Sequence, residues 1–299
     1  TGPIPMSNER LMARVPPQLI ETLRQSREVT VLTGSGISAE SGIPTFRDAQ
    51  TGIWAEFRPE DLATPEAFAS NPRRVWDWYA WRREMVSEAQ PNPGHGALAR
   101  MARTLSGFNL ITQNVDGLHQ RAGSKDVIEY HGNIMRDKCS VEDVVVEHPA
   151  PGDEVPPRCP ACGGMLRPDV VWFGETLPQA AFDSAMRIAG NCTFCFSVGT
   201  TSLVQPAAGL PLLAARNGAA LVEINPLVLT AEDDVIAIDA KIDVDAKREL
   251  AIFMLDPKLG MPRDVDLFSF AGLPLALGGA LLLLSDLQRE KCRVYPAML

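Results

Sequence analysis

The sequence predicts an α/β fold: a Rossmann-like doubly wound parallel sheet with a small zinc-ribbon-like inserted domain. Three observations carry this reading. Short runs of β-branched and aliphatic residues alternate with helical stretches, and most of these runs end in Gly, Asn, Asp, His or Thr. The stretch 139–165 is instead rich in Pro and Cys and has no core-building pattern, which marks an insert. The length of 299 residues suits one large domain plus such an insert.

Residues 18–27 read as a first helix leading into a strand over 29–33. That strand opens the stretch 31–48, VLTGSGISAESGIPTFRD, around which the other elements are arranged. Gly34, Gly36 and Ala39 give the spacing G-x-G-x-x-A. A strand that ends in glycines and opens into a helix offers bare backbone N–H groups and a partial positive charge to a phosphate. A tight turn fits the same spacing. The usual dinucleotide fingerprint also places an acidic residue at the end of a second strand, about twenty positions on. Here that region reads PTFRDAQTGIW, a loop with an arginine, so this is not an ordinary dehydrogenase loop.

Beyond a loop at 44–54, Asn71-Pro72 supplies a helix cap followed by proline at the first helical position, and the helix is expected to run to Ala89. A further helix is expected over 94–105, and strands over 108–112, 127–130, 193–198 and 219–224, with 234–238 as the last. In doubly wound sheets ligands sit beyond the carboxyl ends of the strands, so the polar residues at those ends converge on one crevice.

Composition bounds the function. With 45% hydrophobic and 22% charged residues the chain reads as soluble and globular. A net charge of -9 argues against nucleic acid as a partner and tolerates lysine-rich protein segments. Six cysteines in a chain this long point to metal or free thiols, not to a secreted disulfide scaffold. The first residues lack a signal-peptide pattern, and a cytoplasmic location is expected. The run 267–284 is free of charge, but Pro274, Gly278 and Gly279 interrupt its helical pattern; it is expected to pack on the body or on a second subunit instead of entering a membrane.

Several groups carry chemistry. The strand ends offer backbone N–H groups at 34–38, side chains at Gln113, Asn114 and Asp116, an imidazole at His131, and hydroxyls at Thr200, Thr201 and Ser202. His131 titrates near neutrality and so can accept a proton from a hydroxyl, although a histidine in that position also serves as an ordinary surface or core residue. Cys159-Pro160-Ala161-Cys162-Gly163-Gly164 has zinc-knuckle spacing, and Cys139 adds a third thiol. The position where a fourth cysteine is expected holds Glu142; Glu142 or His148 completes a tetrahedron, or the site is degenerate. Cys192 and Cys195 read as core at the start of a buried strand, pointing to opposite faces. Tyr79 and Arg82, three apart on one helix, share a face. Together they suit a carboxylate ligand, or else pack and point to water.

With these residues assembled, the chain resembles the sirtuins, NAD-dependent protein-lysine deacylases. The matching words are GSGISAESGIPTFRD (34–48), TQNVDGLHQRAG (112–123), YHG around His131, CPACGG (159–164), VVWFGE (170–175), GTTS (199–202) and INP (224–226), which together cover residues 8–240. YAWRR (79–83) contains the Y-x-x-R pattern of the class that prefers negatively charged acyl groups. The resemblance implies a catalytic domain over 8–250 with a zinc-binding insert over about 132–168, and leaves 251–299 as a tail of unassigned role. It implies that NAD and an acyl-lysine protein substrate enter a cleft between a Rossmann-like and a small domain. The acyl oxygen then attacks the nicotinamide ribose, nicotinamide leaves, and His131 acts as general base in passing the acyl group to ADP-ribose. Gly34, Ser35, Gly36, Ile37 and Ser38 would border NAD, and Phe46 and Arg47 would close over it. Gln113, Asn114 and Asp116 would hold its nicotinamide half, and Thr200, Thr201, Ser202 and Asn225 its adenosine half. Tyr79 and Arg82 would bind the acyl group. Val171, Trp172, Phe173, Gly174 and Glu175 would pair with the substrate backbone as an added strand. Cys139, Cys159 and Cys162 would ligate zinc.

Two positions depart from the family pattern. Glu142 stands at an expected zinc cysteine, and Leu227-Val228-Leu229 replaces an acidic-Pro-Thr word after Asn225-Pro226. The reading that follows is removal of succinyl, malonyl or acetyl groups from protein lysines. A protein ADP-ribosyltransferase using the same pocket and a non-catalytic NAD or ADP-ribose binding module are the alternatives.

Overall fold

The computed structural model describes residues 17–44, 57–146, 154–201, 203–224, and the strands at 227–229, 235–237, 239–245 and 249–254. In chain order the helices are α1 (Pro17–Gln25), α2 (Pro59–Leu62), α3 (Pro65–Ser70), α4 (Pro72–Glu88), α5 (Pro93–Thr104), α6 (Leu118–Arg121), α7 (Gln179–Asn191) and α8 (Gly209–Arg216). The strands are β1 (Val29–Thr33), β2 (Phe108–Thr112), β3 (Ile128–Glu129), β4 (Gly132–Cys139), β5 (Val145–Val146), β6 (Leu166–Val170), β7 (Phe194–Val198), β8 (Ala220–Ile224), β9 (Leu227–Leu229), β10 (Val235–Ala237), β11 (Asp239–Asp245) and β12 (Glu249–Met254).

The main sheet has the order β12-β11-β8-β7-β1-β2-β3. From β8 to β3 every pairing is parallel. Both faces are covered, as parallel strands require. Because side chains alternate along a strand, Leu32 and Ile111 point one way and pack with Ala185 and Ala189 of α7 and Leu210 of α8. Their neighbours Val31 and Leu110 point the other way, onto Ile37 and Leu98 of α5. On that second side Val29, Phe194 and Val222 meet Leu19 and Leu23 of α1.

Outward from β1 the chain runs to β2 and β3 on one side and to β7 and β8 on the other, so the strand order reverses between β1 and β7. Such a reversal leaves a crevice beyond the carboxyl ends of the two strands. Here those ends touch. The Gly34 amide donates to the Val198 carbonyl at 3.0 Å, and the Gly36 amide to the Gly199 carbonyl at 2.9 Å. A Cβ on Gly36 would come within 2.8 Å of the Gly199 Cα, and one on Gly199 would lie 2.4 Å from the Ile37 nitrogen. The segment after β1 is a 3-10 turn, Ser35–Ser41, and not the α-helix expected from the glycine spacing.

A second sheet, β5-β4-β6, is antiparallel and spans the Cys-rich region. Its strands were not legible: β4 reads GNIMRDKC and β6 contains Pro168, which an edge strand tolerates. Helix α4 starts as expected, with the Asn71 side chain accepting from the Arg74 amide at 3.0 Å and Pro72 in the first turn. Its Val75, Trp78, Tyr79 and Val86 pack with Ile134 of β4, Val170 of β6 and Trp172. Arg83 fastens the same helix to β4, donating to the Ile134 carbonyl at 2.6 Å and to the Asp137 carboxylate at 2.5 Å.

Other expectations need correction. The strand expected over 234–238 does not end the main sheet; β10 pairs with β9 as a separate antiparallel ribbon. The sheet is completed by β11 and β12, both antiparallel to their neighbours, and β12 crosses the expected domain limit at residue 250. Cys192 and Cys195 are core, but in one cluster with Ala214 and Ala219. Cys192 caps α7 and lies outside the strand, so strand alternation does not separate the pair. Among the described residues no helix is long and apolar enough to cross a membrane. The run 267–284 lies outside them.

The glycine contact is testable. Gly199 has φ +62, so Gly199→Ala combines backbone strain of about 1–2 kcal/mol with a collision against Ile37. Gly218 has φ +90 and no atom within 4 Å of an added Cβ, so Gly218→Ala meets the strain alone. In urea unfolding, Gly199→Ala is expected to lose at least about 2 kcal/mol more than Gly218→Ala; equal losses would remove the steric argument.

Candidate active site

The carboxyl ends of β1, β2 and β3 bring together Ser38, Gln113, Asn114, Asp116 and His131. Ser38 is 1% exposed and sits at the centre of a hydrogen-bonded cluster. Its hydroxyl donates to Asp116 Oδ2 at 2.7 Å and accepts from Asn114 Nδ2 at 3.0 Å. The other Asp116 oxygen accepts the Leu118 amide at 2.9 Å, so the carboxylate is aimed by a backbone and a side-chain donor at once. The Asn114 amide donates to Thr112 Oγ1 at 3.1 Å, tying the loop back to β2.

His131 follows β3. Its Nδ1 lies 3.1 Å from the Gln113 carbonyl, which can only accept, so Nδ1 carries the proton and Nε2 is left with its lone pair. Burial pulls the imidazole below its ordinary pKa, with the Gln113 hydrogen bond opposing. The ring is therefore neutral near pH 7 and has one basic nitrogen, the state required of a general base.

Two further histidines support this floor. The Asn92 amide donates to His95 Nδ1 at 3.3 Å, so His95 Nε2 holds the proton and faces the Ser38 oxygen at 3.4 Å. His119 Nε2 is 2.9 Å from Thr33 Oγ1, which bonds Thr112 Oγ1 at 2.8 Å. The two rings lie 4.8 Å apart. Burial lowers the pKa of both; Asp116 opposes it at His95, whereas His95 adds to it at His119, which is pushed down to about 3. Neither histidine carries a motif of its own. The available signal was positional: His95 lies three residues after the capping Asn92, and His119 three after Asp116.

The glycine loop serves a different purpose from the one its spacing suggests. The amides of Gly34, Gly36 and Ile37 donate to Val198, Gly199 and Gly34 carbonyls, so these donors are committed to the fold and not held out to a phosphate. The Ile37 carbonyl accepts the Asn92 side chain at 2.7 Å. Across the crevice Thr200 is buried with its hydroxyl 2.9 Å from that of Ser197, and Thr201 is exposed. Phe46, Arg47, Ser202 and Asn225, expected at the cofactor, lie outside the described residues.

On the side formed by α4, Tyr79 and Arg82 do share a face. Tyr79 is fully buried, and the Arg82 guanidinium carbon lies 5.8 Å from its ring and 4.9 Å from that of Trp78. Burial lowers the Arg82 pKa, with Tyr79 and Asp116 opposing; burial raises that of the Tyr79 phenol, with Arg82 opposing.

The segment 171–175, expected to be a strand edge for a substrate, is a turn. Val171 and Phe173 donate to the His131 and Ala63 carbonyls at 2.9 Å, and Glu175 donates to the Trp172 carbonyl at 3.0 Å. The Trp172 amide is taken by the Glu175 side chain. That side chain is also turned inward, paired with Arg167, whose buried cation needs a carboxylate. Burial acts to raise the Glu175 pKa, but its bonds to Arg167 and the Trp172 amide outweigh this and hold it below the usual range. Gly174, at φ +86, makes the turn, while the Phe173 ring is exposed.

At the far end of the small sheet the ligand atoms of Cys139, Glu142, Cys159 and Cys162 all lie within 4.8 Å of one another. Cys139 and Cys162 sulfurs are 3.4 Å apart, close to the spacing of about 3.8 Å that two 2.3 Å zinc–sulfur bonds make at a tetrahedral angle. The amides of Val141 and Glu142 point at the Cys139 sulfur and that of Gly164 at the Cys162 sulfur, each at 3.4 Å. Three thiols with N–H donors and a carboxylate are a donor set that fits zinc. Of the two fourth ligands considered, Glu142 is in this group, and His148 lies outside the described residues.

The Sir2 family profile matches residues 34–206. The chain is 54% identical over 218 residues to an NAD-dependent protein deacylase of Ralstonia nicotianae, covering 72% of this chain and 87% of that one. To an NAD-dependent protein deacylase of Aquifex aeolicus it is 52% identical over 203 residues, covering 68% and 84%. A Sir2 homologue solved as a complex with NAD superposes with a TM-score of 0.66 at 47% identity, over 71% of this chain and 83% of that one. The fold and the site thus define an α/β protein of the Rossmann-like kind with a small second sheet whose Cys and Glu donors fit zinc. The chain belongs to the Sir2 family.

The metal cluster yields a prediction. Purified protein is expected to hold one zinc, counted by elemental analysis, with Glu142→Ala releasing it to a chromophoric chelator at least tenfold faster than the parent. Equal release rates would remove Glu142 from the ligand set.

Proposed function

We propose that this chain removes acyl groups from lysine side chains of proteins with NAD as co-substrate, and that it prefers acyl groups ending in a carboxylate, succinyl and malonyl, over acetyl. The observation that carries the reaction is the state of His131, neutral with its basic Nε2 directed away from the Gln113 carbonyl. The deacylase names of its relatives and the NAD complex of its structural neighbour support the same reading.

When bound, NAD supplies a ribose carbon from which nicotinamide can leave. This chain's part is positional and electrostatic. Asn114 and Asp116, held by Ser38 and the Leu118 amide, offer fixed polar groups to the nicotinamide half. His131 Nε2 accepts the proton of a ribose hydroxyl. Gly34 to Ser38, with Gln113, line the crevice at the sheet's reversal, and Phe46, Arg47, Thr200, Thr201, Ser202 and Asn225 complete the cofactor side. Zinc, held by Cys139, Cys159, Cys162 and Glu142, maintains the small sheet. The catalytic domain extends past the expected limit of 250 to include β12, with its insert at 132–168, and the protein acts in the cytoplasm.

The acyl preference rests on Tyr79 and Arg82, a phenol that keeps its proton and a cation beside it on one helix face. A charge-assisted bond from Arg82 is worth about 1.5–3 kcal/mol, or roughly ten- to over a hundredfold in preference. With matched peptides, kcat/KM for succinyl-lysine is expected to exceed that for acetyl-lysine by at least about tenfold, and Arg82→Met to abolish the difference. Faster cleavage of acetyl would overturn the preference, and ADP-ribose left on the peptide would overturn the reaction.

The state of His131 has a pH consequence. Only the neutral ring accepts a proton, and its pKa lies below the ordinary value of about 6.5. As pH falls, kcat/KM should therefore hold through about 6.5 and decline only below it, tenfold per unit. His131→Ala should abolish transfer of the acyl group to ADP-ribose, read as loss of deacylated peptide. A midpoint of the acid limb at or above about 6.5 contradicts a buried neutral base.

A further inference from the structure

Trp172 lies two residues beyond β6, is 3% exposed, and is fixed from three directions. Its backbone amide donates to Glu175 Oε2 at 2.8 Å. One face of its ring lies 3.2 Å from the guanidinium carbon of Arg167, which is itself held by Glu175 and by the Val170 carbonyl at 2.7 Å. Its indole Nε1–H donates to the Tyr79 hydroxyl at 2.9 Å, with the two rings 6.3 Å apart. The Phe68 ring closes the remaining side, 5.4 Å away.

The hydrogen bond has a direction. An indole N–H can only donate, so the phenol oxygen accepts from it and the phenol's own proton is not spent on Trp172. A carboxylate offers acceptors alone and requires donors. With the Tyr79 oxygen pinned by Trp172 and the Arg82 guanidinium beside the same ring, two donors serve one acceptor-only group. Phenylalanine at 172 would keep an aromatic ring there without the N–H, and so leave the Tyr79 hydroxyl free to turn.

We propose that Trp172 is a specificity-determining positioning residue: its indole N–H fixes the Tyr79 hydroxyl as a donor to the terminal carboxylate of an acidic acyl group, without contacting that carboxylate itself. This rests on the acidic-acyl reading above. The Arg167–Glu175 pair belongs to the same device, because it clamps the Trp172 ring and backbone together.

The test uses Trp172→Phe, Tyr79→Phe and the double variant with matched succinyl- and acetyl-lysine peptides. A hydrogen bond of ordinary net worth corresponds to a change of about two- to tenfold. Trp172→Phe is expected to raise KM for the succinyl peptide several times more than KM for the acetyl peptide, with a smaller effect on kcat. The double variant should discriminate no worse than Tyr79→Phe, because both lose the same donor. Equal losses on both peptides, or additive losses in the double variant, would overturn the positioning role. If the parent prefers succinyl and Trp172→Phe keeps that preference intact, only the positioning claim falls; if the parent shows no such preference, the acidic-acyl reading falls first. A measurement that leaves Trp172 in place stands beside these. In the proton–nitrogen NMR spectrum of the isotope-labelled enzyme, Tyr79→Phe should shift the Trp172 indole N–H resonance upfield, and an unmoved resonance would overturn the hydrogen bond itself.

Discussion

The backbone contact between Gly34, Gly36 and Gly199 is the constraint from which the rest of the site follows. Two neighbouring parallel strands end in loops that turn toward each other, and the loops come so close that a single Cβ would meet backbone atoms at 2.4–2.9 Å. Only glycine permits that approach at all three positions. Because the contact sits where the strand order reverses, it sets the depth of the crevice floor. Ser38 then falls opposite Asn114 and Asp116 from the next strand, and His131 opposite Gln113. The glycines thus act through packing, and the amides of Gly34 and Gly36 are used to hold the two loops together.

That floor is polar and buried, a costly combination unless every group has a partner. The chain meets most of the requirement with short polar side chains bonded across strands, Thr33 to Thr112 and Ser38 to Asp116, and leaves His119 Nδ1 without a partner among the described residues. Two histidines that burial keeps uncharged lie behind them. A charged imidazole in either place would compete for the Asp116 carboxylate and disturb its aim. Burial keeps His131 neutral as well, but its ring is only half-buried, with one nitrogen bonded to the Gln113 carbonyl. The two histidines of the floor therefore differ from His131 in exposure.

Much of this was legible in the sequence. The five parallel strands, the cap at Asn71, the knuckle of Cys159 and Cys162, and the gathering of Asn114, Asp116 and His131 follow from local signals. These are runs of branched residues, proline after a capping side chain, and cysteines at fixed spacing. What stayed hidden depends on distant partners. The small sheet was missed because GNIMRDKC and LRPDV have neither alternation nor β-branched density and become strands only by pairing with each other. The segment 171–175 looked like a free edge because nothing local shows that Ala63, His131 and Glu175 take its amides. Arg167 carried no local signal: its partner is eight residues on, and its ring contact depends on the turn between them. The antiparallel β11 and β12 lay where the resemblance ended.

The two ends of β6 connect the cysteine cluster to the contact between Tyr79 and Trp172. Leu166, at its start, packs with Cys139 and Cys159, and Val170, at its end, packs with Tyr79 and Trp172. Between them Arg167 reaches forward to Glu175 and lies against the Trp172 ring. A strand of five residues therefore transmits the position of the thiols to the residue that orients the Tyr79 hydroxyl. Helix α4 cannot hold that position alone, because its grip on the small sheet runs through Arg83 and the apolar contact with Ile134 and Val170. Metal at the cluster would then contribute to acyl recognition without approaching the acyl group, by fixing the register of β4 against β6. A carboxylate in place of the fourth thiolate makes the ligand at the tip of that sheet harder and more easily exchanged. The nucleotide side is secured by glycine contact within the large sheet and does not depend on this strand. The glycine crevice and the Tyr79–Trp172 contact are thus supported by separate parts of the fold, with His131, between β3 and β4, at the junction of both sheets.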